Sequence, residues 1–261
     1  SWNSPALTIQ VNTIGVIHCL EAIKKHAPHC RFYNACSSEI FGDVLEVPQK
    51  ITTRPNPRSV YGVSKNAARE IVTVYRESYG LYAVSGILFN HESPRRQEHY
   101  VTRKITKNVA RITRSIQANN WDFEPLELGN LDALRDWSDA ADFVDGVWKM
   151  LNQEPKMIKT DGVEHLEGTF CGSIEHLKWK PSDYILASGE MHTVREFVEK
   201  AFLAAGISGV WSQFSNDPLT LEYILARSGL ATKKRIPLVK INPQFYRPAE
   251  VCELLGCSDE A

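Results

Sequence analysis

The sequence has no excess of either charge: 30 Lys and Arg stand against 31 Asp and Glu, a formal net charge of −1 over 261 residues. That removes a bulk electrostatic footprint for nucleic acid or an anionic membrane, so any anion must be bound by a few local cations. Cysteine is sparse. The six thiols (Cys19, Cys30, Cys36, Cys171, Cys252 and Cys257) never stand in C-x-x-C spacing, so neither a disulfide framework nor a zinc ribbon is indicated. Free thiols in a reducing, cytoplasmic compartment are expected. His26, His29 and Cys30 in H-A-P-H-C carry ligand chemistry, but Pro28 ends the helix there and imidazoles at a helix end complement its dipole, so no metal is expected. No apolar run approaches the roughly 18 residues of a membrane span, and S-W-N-S-P at the start lacks a basic segment followed by an apolar one. The chain reads as soluble and unsecreted. Internal repeats and low-complexity tracts are absent as well.

Glycine occurs 15 times but never as G-x-G-x-x-G or G-x-x-G-x-x-G. A dinucleotide-binding sheet needs such a turn after its first strand, because only glycine lets the backbone approach the pyrophosphate at a helix N-terminus. The pattern also opens directly on a helix, as though in the middle of a sheet. The inference is that a cofactor-binding N-terminal half is missing from this sequence.

What is present is a globular composition, 43% hydrophobic and 10% aromatic. Apolar residues from Ile9 to Ile23 recur at mixed helical spacing and stop before Pro28, which predicts a mostly buried helix over 5–27. R-F-Y-N-A-C-S-S reads as a strand and the proline-rich stretch after it as a loop. Ser59 caps a helix over about 60–79, and a second strand runs from Tyr82 to Phe89. Helix, strand, helix, strand with short polar connections is the order of a doubly wound parallel sheet. Past Asn90 the elements shorten: helix 101–117, strand 126–129, helix 139–152, strand 184–188 and helix 193–205. The expected fold class is α/β, a partial doubly wound sheet over 1–90 followed by a smaller α/β region over 91–261. An insertion near 156–181 contains His165, Cys171 and His176. Trp137, Phe143 and Trp148, taken as one helix, read as core. Lys107, Arg111 and Arg114 read as the wet face of an amphipathic helix, whereas Lys104 stands above that background.

The residues that carry chemistry are Ser37, Ser38 and Glu39 at a strand end, then Tyr61 and Lys65 four apart on the next helix. That spacing puts phenol and ammonium on one helical face. A nearby cation favours the phenolate, so Tyr61 is able to take a proton from an alcohol while Ser37 hydrogen-bonds the same oxygen. Y-x-x-x-K also occurs by chance on exposed helices, and Glu39 also reads as a solvated strand-end carboxylate. A serine-bearing strand end, a proline-rich loop and a Tyr/Lys helix is, however, the order found in short-chain dehydrogenase/reductases, which this region resembles.

A closer resemblance covers most of the chain. S-S-E-I-F-G (37–42), R-S-V-Y-G-V-S-K (58–65), G-I-L-F-N-H-E-S-P-R-R (86–96), V-T-R-K-I-T (101–106), L-G-N-L-D-A-L-R-D-W (128–137), T-V-R-E-F-V-E-K-A-F (193–202) and V-K-I-N-P-Q-F-Y-R-P-A-E-V (239–251) resemble the GDP-mannose 4,6-dehydratase family. The resemblance implies that residues 1–90 are the C-terminal part of a Rossmann-like NADP-binding domain and that 91–261 form the GDP-sugar region. It implies that Tyr61 removes the proton of the sugar C4 hydroxyl as hydride passes to NADP. Glu39 then removes the C5 proton, water leaves from C6, and hydride returns to C6, giving GDP-4-keto-6-deoxymannose. Lys65 would hold the nicotinamide ribose and tune Tyr61. Asn90 would meet the nucleotide sugar, His91 and Arg96 the NADP, and Lys104, Arg135 and Arg247 the GDP part. A homo-oligomer, dimer or tetramer, is also implied.

The chain departs from the family pattern at Leu7, where a cofactor-contacting Tyr is usual, at Gln97 in place of Gly, and at Ser138-Asp139 in place of Gly-His. A second reading is therefore a catalytically inactive remnant serving as a structural or assembly subunit. A third uses the same fold with another sugar, as an epimerase or a different dehydratase; Glu39 speaks against a simple C4 epimerase, which needs no base at C5.

Overall fold

The computed structural model describes residues 2–153, 157–160, 163–166, 181–226, 235–246 and 254–258. In chain order the elements are α1 (Pro5–His26), β1 (Phe32–Ala35), α2 (Val60–Tyr79), β2 (Ala83–Leu88), β3 (Asn90–Glu92), α3 (Val101–Gln117), β4 (Leu126–Leu128), β5 (Leu134–Asp139) and α4 (Ala140–Leu151). They continue with β6 (Met157–Thr160), β7 (Val163–Leu166), β8 (Tyr184–Leu186), β9 (Met191–Thr193), α5 (Val194–Ala204), β10 (Gly209–Ser212), β11 (Glu222–Leu225) and β12 (Pro237–Ile241).

The chain divides into two compact units. The first comprises Ser1–His91, Asp136–Glu190 and Leu254–Ala261, the second Glu92–Arg135 and Met191–Glu253. The sequence suggested one boundary, at residue 90; the chain instead returns to the first unit at Asp136 and again at Leu254.

In the first unit β1, β2 and β8 form a parallel sheet in the order β1-β2-β8, with Ala35 opposite Gly86 and Gly86 opposite Tyr184. Residues 83–87 of β2 are all buried, as expected of a central parallel strand covered on both faces. Leu20, Val72, Leu81 and Ala83 join α1 and α2 to this sheet, flanked by Val16, Ile23, Phe32, Ile71 and Tyr75. Helix α4 packs on β1, β2 and β8, and Gly146 permits the approach: a Cβ there would stand 2.9 Å from Leu186 Cδ1.

Three sequence expectations are corrected here. Helix α1 is not mostly buried: only Thr13 and Leu20 are, while Leu7, Val11 and Ile14 are exposed. One narrow stripe packs on α2, and its contacts include the polar Asn12 and Thr13, which leaves apolar side chains on the open side. By length and composition α1 is also apolar enough to cross a membrane, a test that core helices of soluble proteins pass as well. The aromatic trio does not share one helix. Trp137 lies on β5, Phe143 and Met150 on the buried face of α4, and Trp148, five residues after Phe143, on the outer face at 67% exposure.

The second unit holds α3 against α5 and a four-stranded sheet in the order β10-β11-β12-β4, antiparallel except for β12 with β4. Ile105, Val109 and Ile112 form the buried face of α3. Its cations lie outside that face, Lys107 paired with Glu98 and Arg111 bonded to Asn108 and the Glu124 carbonyl. A Thr193/Glu196 capping box starts α5.

One buried carboxylate fixes α2 to the first unit's sheet. Asp183 Oδ1 accepts from Arg76 (2.7 Å) and from the Ser85 amide (2.9 Å), and Oδ2 accepts from Arg69 Nε (3.2 Å). Arg76 also donates to the Ala83 carbonyl. Removing the carboxylate strands two largely buried guanidinium groups, so Asp183→Ala is expected to lower unfolding free energy by about 3 kcal/mol or more, read by urea denaturation. A loss below about 1 kcal/mol would contradict the assignment.

Candidate active site

The site elements grow out of the C-terminal end of β1. After Ala35 the chain passes through buried Cys36 into an extended Ser37 and a single 3-10 turn, Ser38–Ile40. Ile40 and Phe41, both fully buried, anchor that turn from below. Ser37 caps it: its Oγ accepts the Glu39 amide at 3.3 Å. Desolvation pushes the Cys36 thiol up to about 11, which makes it an inert core thiol rather than a nucleophile.

The first turn of α2 lies directly against this one. Ser59, the N-cap, accepts the Gly62 amide at 3.0 Å and donates to Glu39 Oε2 at 3.1 Å. Gly62 allows the close approach, since a Cβ there would stand 2.6 Å from the Glu39 carbonyl oxygen. Tyr61 and Lys65 follow on the same helix, with Lys65 Nζ 5.6 Å from the Tyr61 ring centroid. Lys65 reaches back to donate to the Ala35 carbonyl at 3.0 Å, and its burial lowers its pKa from the ordinary lysine value. Ser37, Glu39, Tyr61 and Lys65 thus all belong to the junction of β1 with α2.

Helix α1 braces that junction through a π-helical stretch, Gln10–Ile14. Asn12 Nδ2 donates to Ser64 Oγ (3.0 Å), which donates to the Tyr61 carbonyl (2.7 Å), while Thr13 Oγ1 donates to the Ser64 carbonyl (2.9 Å). Asn90 and His91 follow the C-terminal end of β2. The Asn90 side-chain nitrogen, Nδ2, is buried without a hydrogen-bond partner among the described residues. His91 Nδ1 lies 2.9 Å from the Phe89 carbonyl and its ring stacks on Phe143 at 5.0 Å. A carbonyl partner requires Nδ1 to carry the proton, which leaves Nε2 of the neutral ring an acceptor.

Of the remaining predicted ligands, Arg96, Lys104 and Arg135 belong to the second unit and are described within it. Arg96 pairs with Glu92 at 3.3 Å and stacks over Tyr100. Lys104 sits 3.4 Å over the Phe245 ring, and its burial lowers its pKa. Arg135 donates to the Leu134 carbonyl. Arg247 and much of the insertion near 156–181, including Cys171 and His176, lie outside the described residues.

Sequence reasoning missed Gly62, the second role of Ser59, and the Asn12/Thr13 brace. A glycine one turn into a helix was a readable sign of close backbone approach, and Asn12 and Thr13 are polar residues interrupting an apolar helix. Nothing in the sequence signalled that the Ser59 cap also reaches Glu39.

A family model described as GDP-mannose 4,6 dehydratase matches residues 1–179 and 173–261. GDP-mannose 4,6-dehydratase of Yersinia enterocolitica is 39% identical over 264 residues, covering 100% of this chain and 63% of that protein. The Homo sapiens protein of the same name is 38% identical, covering 98% of this chain and 59% of its own length. The chain therefore spans about three fifths of these relatives. Among solved structures, RMD from Pseudomonas aeruginosa complexed with NADPH superposes with a TM-score of 0.69 at 21% identity, over 99% of this chain and 68% of that one. UDP-glucose 4-epimerase of Thermus thermophilus in complex with NAD gives 0.67 at 20% identity, over 99% and 65%. These structural likenesses establish the fold: mixed α/β with a parallel, Rossmann-type sheet.

The contact at Gly62 has a measurable consequence. Gly→Ala inside a helix ordinarily adds up to about 1 kcal/mol. Here the Cβ meets a backbone oxygen, so Gly62→Ala is expected to cost about 1–3 kcal/mol in thermal or urea unfolding. An unchanged or raised midpoint would show that the two turns are not in forced contact.

Proposed function

The chain belongs to the GDP-mannose 4,6-dehydratase family, and from that premise we propose that it acts in the conversion of GDP-mannose to GDP-4-keto-6-deoxymannose with tightly bound NADP. The observation that carries this reading is the junction of β1 with α2, where the Glu39 carboxylate is hydrogen-bonded to the cap of the helix bearing Tyr61 and Lys65. Both groups follow the carboxyl end of a parallel strand, where ligands of open α/β sheets bind.

In this reading Tyr61 takes the proton of the C4 hydroxyl, with Ser37 hydrogen-bonding the reacting oxygen. Once C4 is a ketone the C5 proton is acidic, and a carboxylate is the right base to take it; that is the role of Glu39. A bound NADP, held by Lys65, His91 and Arg96, would supply the hydride acceptor for C4 and, once the C5 proton and the C6 hydroxyl have left as water, the hydride for C6. The donor set suits such a nucleotide: Lys65 spends one N–H on the Ala35 carbonyl and keeps two for ribose hydroxyls. His91 and Arg96 are the further cofactor contacts. Asn90, with a buried side-chain nitrogen lacking a partner among the described residues, is assigned to the nucleotide sugar. Lys104, Arg135 and Arg247 are assigned to the GDP part. The relatives named above give no support to the alternative of an inactive remnant.

Self-association belongs to the same proposal. Leu7, Val11 and Ile14 on α1 and Val63 and Val74 on α2 are exposed on two helices that pack together, and monomers seldom leave large apolar patches open. A homo-oligomer closing over these helices accounts for them.

Two measurements test these readings on the full-length protein. Tyr61→Phe, incubated with GDP-mannose and NADP, is expected to lose at least about 100-fold in formation of the 4-keto product, detected by mass; wild-type turnover by this variant refutes the assignment. Val11→Lys with Val63→Lys is expected to shift the sedimenting species from oligomer to monomer, and an unchanged sedimentation coefficient removes α1 and α2 from the interface.

A further inference from the structure

We propose that Ser59 is a positioning residue for the Glu39 carboxylate, locking it to the first turn of α2 and hence to Tyr61; this rests on the reading of Glu39 as the C5 base. A hydroxyl has one proton to give and two lone pairs. The Gly62 amide, 3.0 Å away, uses a lone pair of Ser59 Oγ as the helix cap. The single proton is then directed to Glu39 Oε2 at 3.1 Å, since an ionised carboxylate only accepts.

Among the described residues no other hydrogen bond to the Glu39 side chain accompanies this one. The rest of Glu39 is held separately, its amide on Ser37 Oγ and its carbonyl oxygen against Gly62. Backbone contacts therefore place the residue, and Ser59 orients its reactive end.

The chemistry supplies a reason for the link. The two protons to be taken stand on C4 oxygen and on C5, neighbouring positions of one ring, so phenol and carboxylate must keep a fixed relation through the reaction. Ser59 is two residues before Tyr61 on the same helical turn. One hydroxyl thereby refers both groups to one rigid element, whereas capping alone would ask only for an acceptor, which Asp or Asn supplies as well, and would be met nearly as well by Gly with the free N–H groups left to water.

The test separates these roles in the full-length protein with GDP-mannose and NADP. Glycine caps a helix nearly as well as serine but has no hydroxyl. Ser59→Gly is expected to lower kcat about 10- to 100-fold, as misplaced reacting groups do, with KM and melting midpoint close to wild type. Ser59→Thr, which keeps the hydroxyl, is expected to restore most of the rate. In the Glu39→Gln background Ser59→Gly is expected to add nothing, because the group it orients is already gone. Wild-type kcat in Ser59→Gly, or the same fold loss with and without Glu39, overturns the proposal. Should Glu39→Gln itself keep wild-type kcat, the base assignment fails and the proposal with it. An inactive Glu39→Gln beside a fully active Ser59→Gly leaves the base standing and removes Ser59 alone.

Discussion

The first unit depends on how closely α2 can approach the turn that follows β1. Two backbones meet there, the Glu39 carbonyl and the α2 helix at Gly62, at a separation that excludes even one methyl group. Ser37, Glu39, Tyr61 and Lys65 are arranged around that contact. It fixes which residues of the helix face the strand end, and so determines that Lys65 reaches the Ala35 carbonyl while the Ser59 cap meets Glu39. The approach is held from the far end as well, where Arg69 and Arg76 clamp α2 to buried Asp183 and, through it, to the Ser85 amide of β2. A helix pinned at both ends has little freedom to rotate, and rotation is the motion that would separate the phenol from the carboxylate.

Much of this was legible beforehand, and for physical reasons. The bounds of α2 and α3 agreed with expectation because each has clear punctuation: Ser59 before and Gly80 in a left-handed conformation after α2, and an apolar stripe of helical period in α3. The parallel sheet followed from the alternation of short apolar runs with capped helices. Composition was a poorer guide to burial. Helix α1 has core-like residues on every side, and periodicity does not say how many of those sides the fold will cover; only the side toward α2 and β2 is covered. Trp148 misled in the same way, since an aromatic residue is core only if its helical phase agrees with that of Phe143 and Met150.

The site was legible as a set of residue types at the right spacings but not as a geometry. Tyr61 and Lys65 are four apart, so their common face is a property of any helix. The meeting of Glu39 with Ser59 spans twenty positions and runs through a proline-rich loop whose path local propensity does not specify. The Asp183 cluster spans more than a hundred positions in sequence and had no local signal at all. Long-range polar contacts of this kind are set by topology, and the sequence signals topology only through the elements it connects.

Helix α1 illustrates how one element answers two unlike environments. Its inner seam is polar where it meets α2: Asn12 and Thr13 engage both the hydroxyl and the carbonyl of Ser64, one turn from Tyr61. These bonds lie within a π-helical stretch, whose widened turn alters the angular phase of the residues on either side. A uniformly α-helical α1 would not keep the same phase on both sides of Asn12. The polar seam therefore fixes the register of α1 against α2, while Leu7, Val11 and Ile14 on its open side are exposed among the described residues. The apolar cluster around Leu20 and Val72 supplies burial between α1, α2 and the sheet, and the few directional bonds of the seam supply its register. That division explains why a helix with the hydropathy of a core element leaves Leu7, Val11 and Ile14 uncovered and still holds Tyr61 and Lys65 in place.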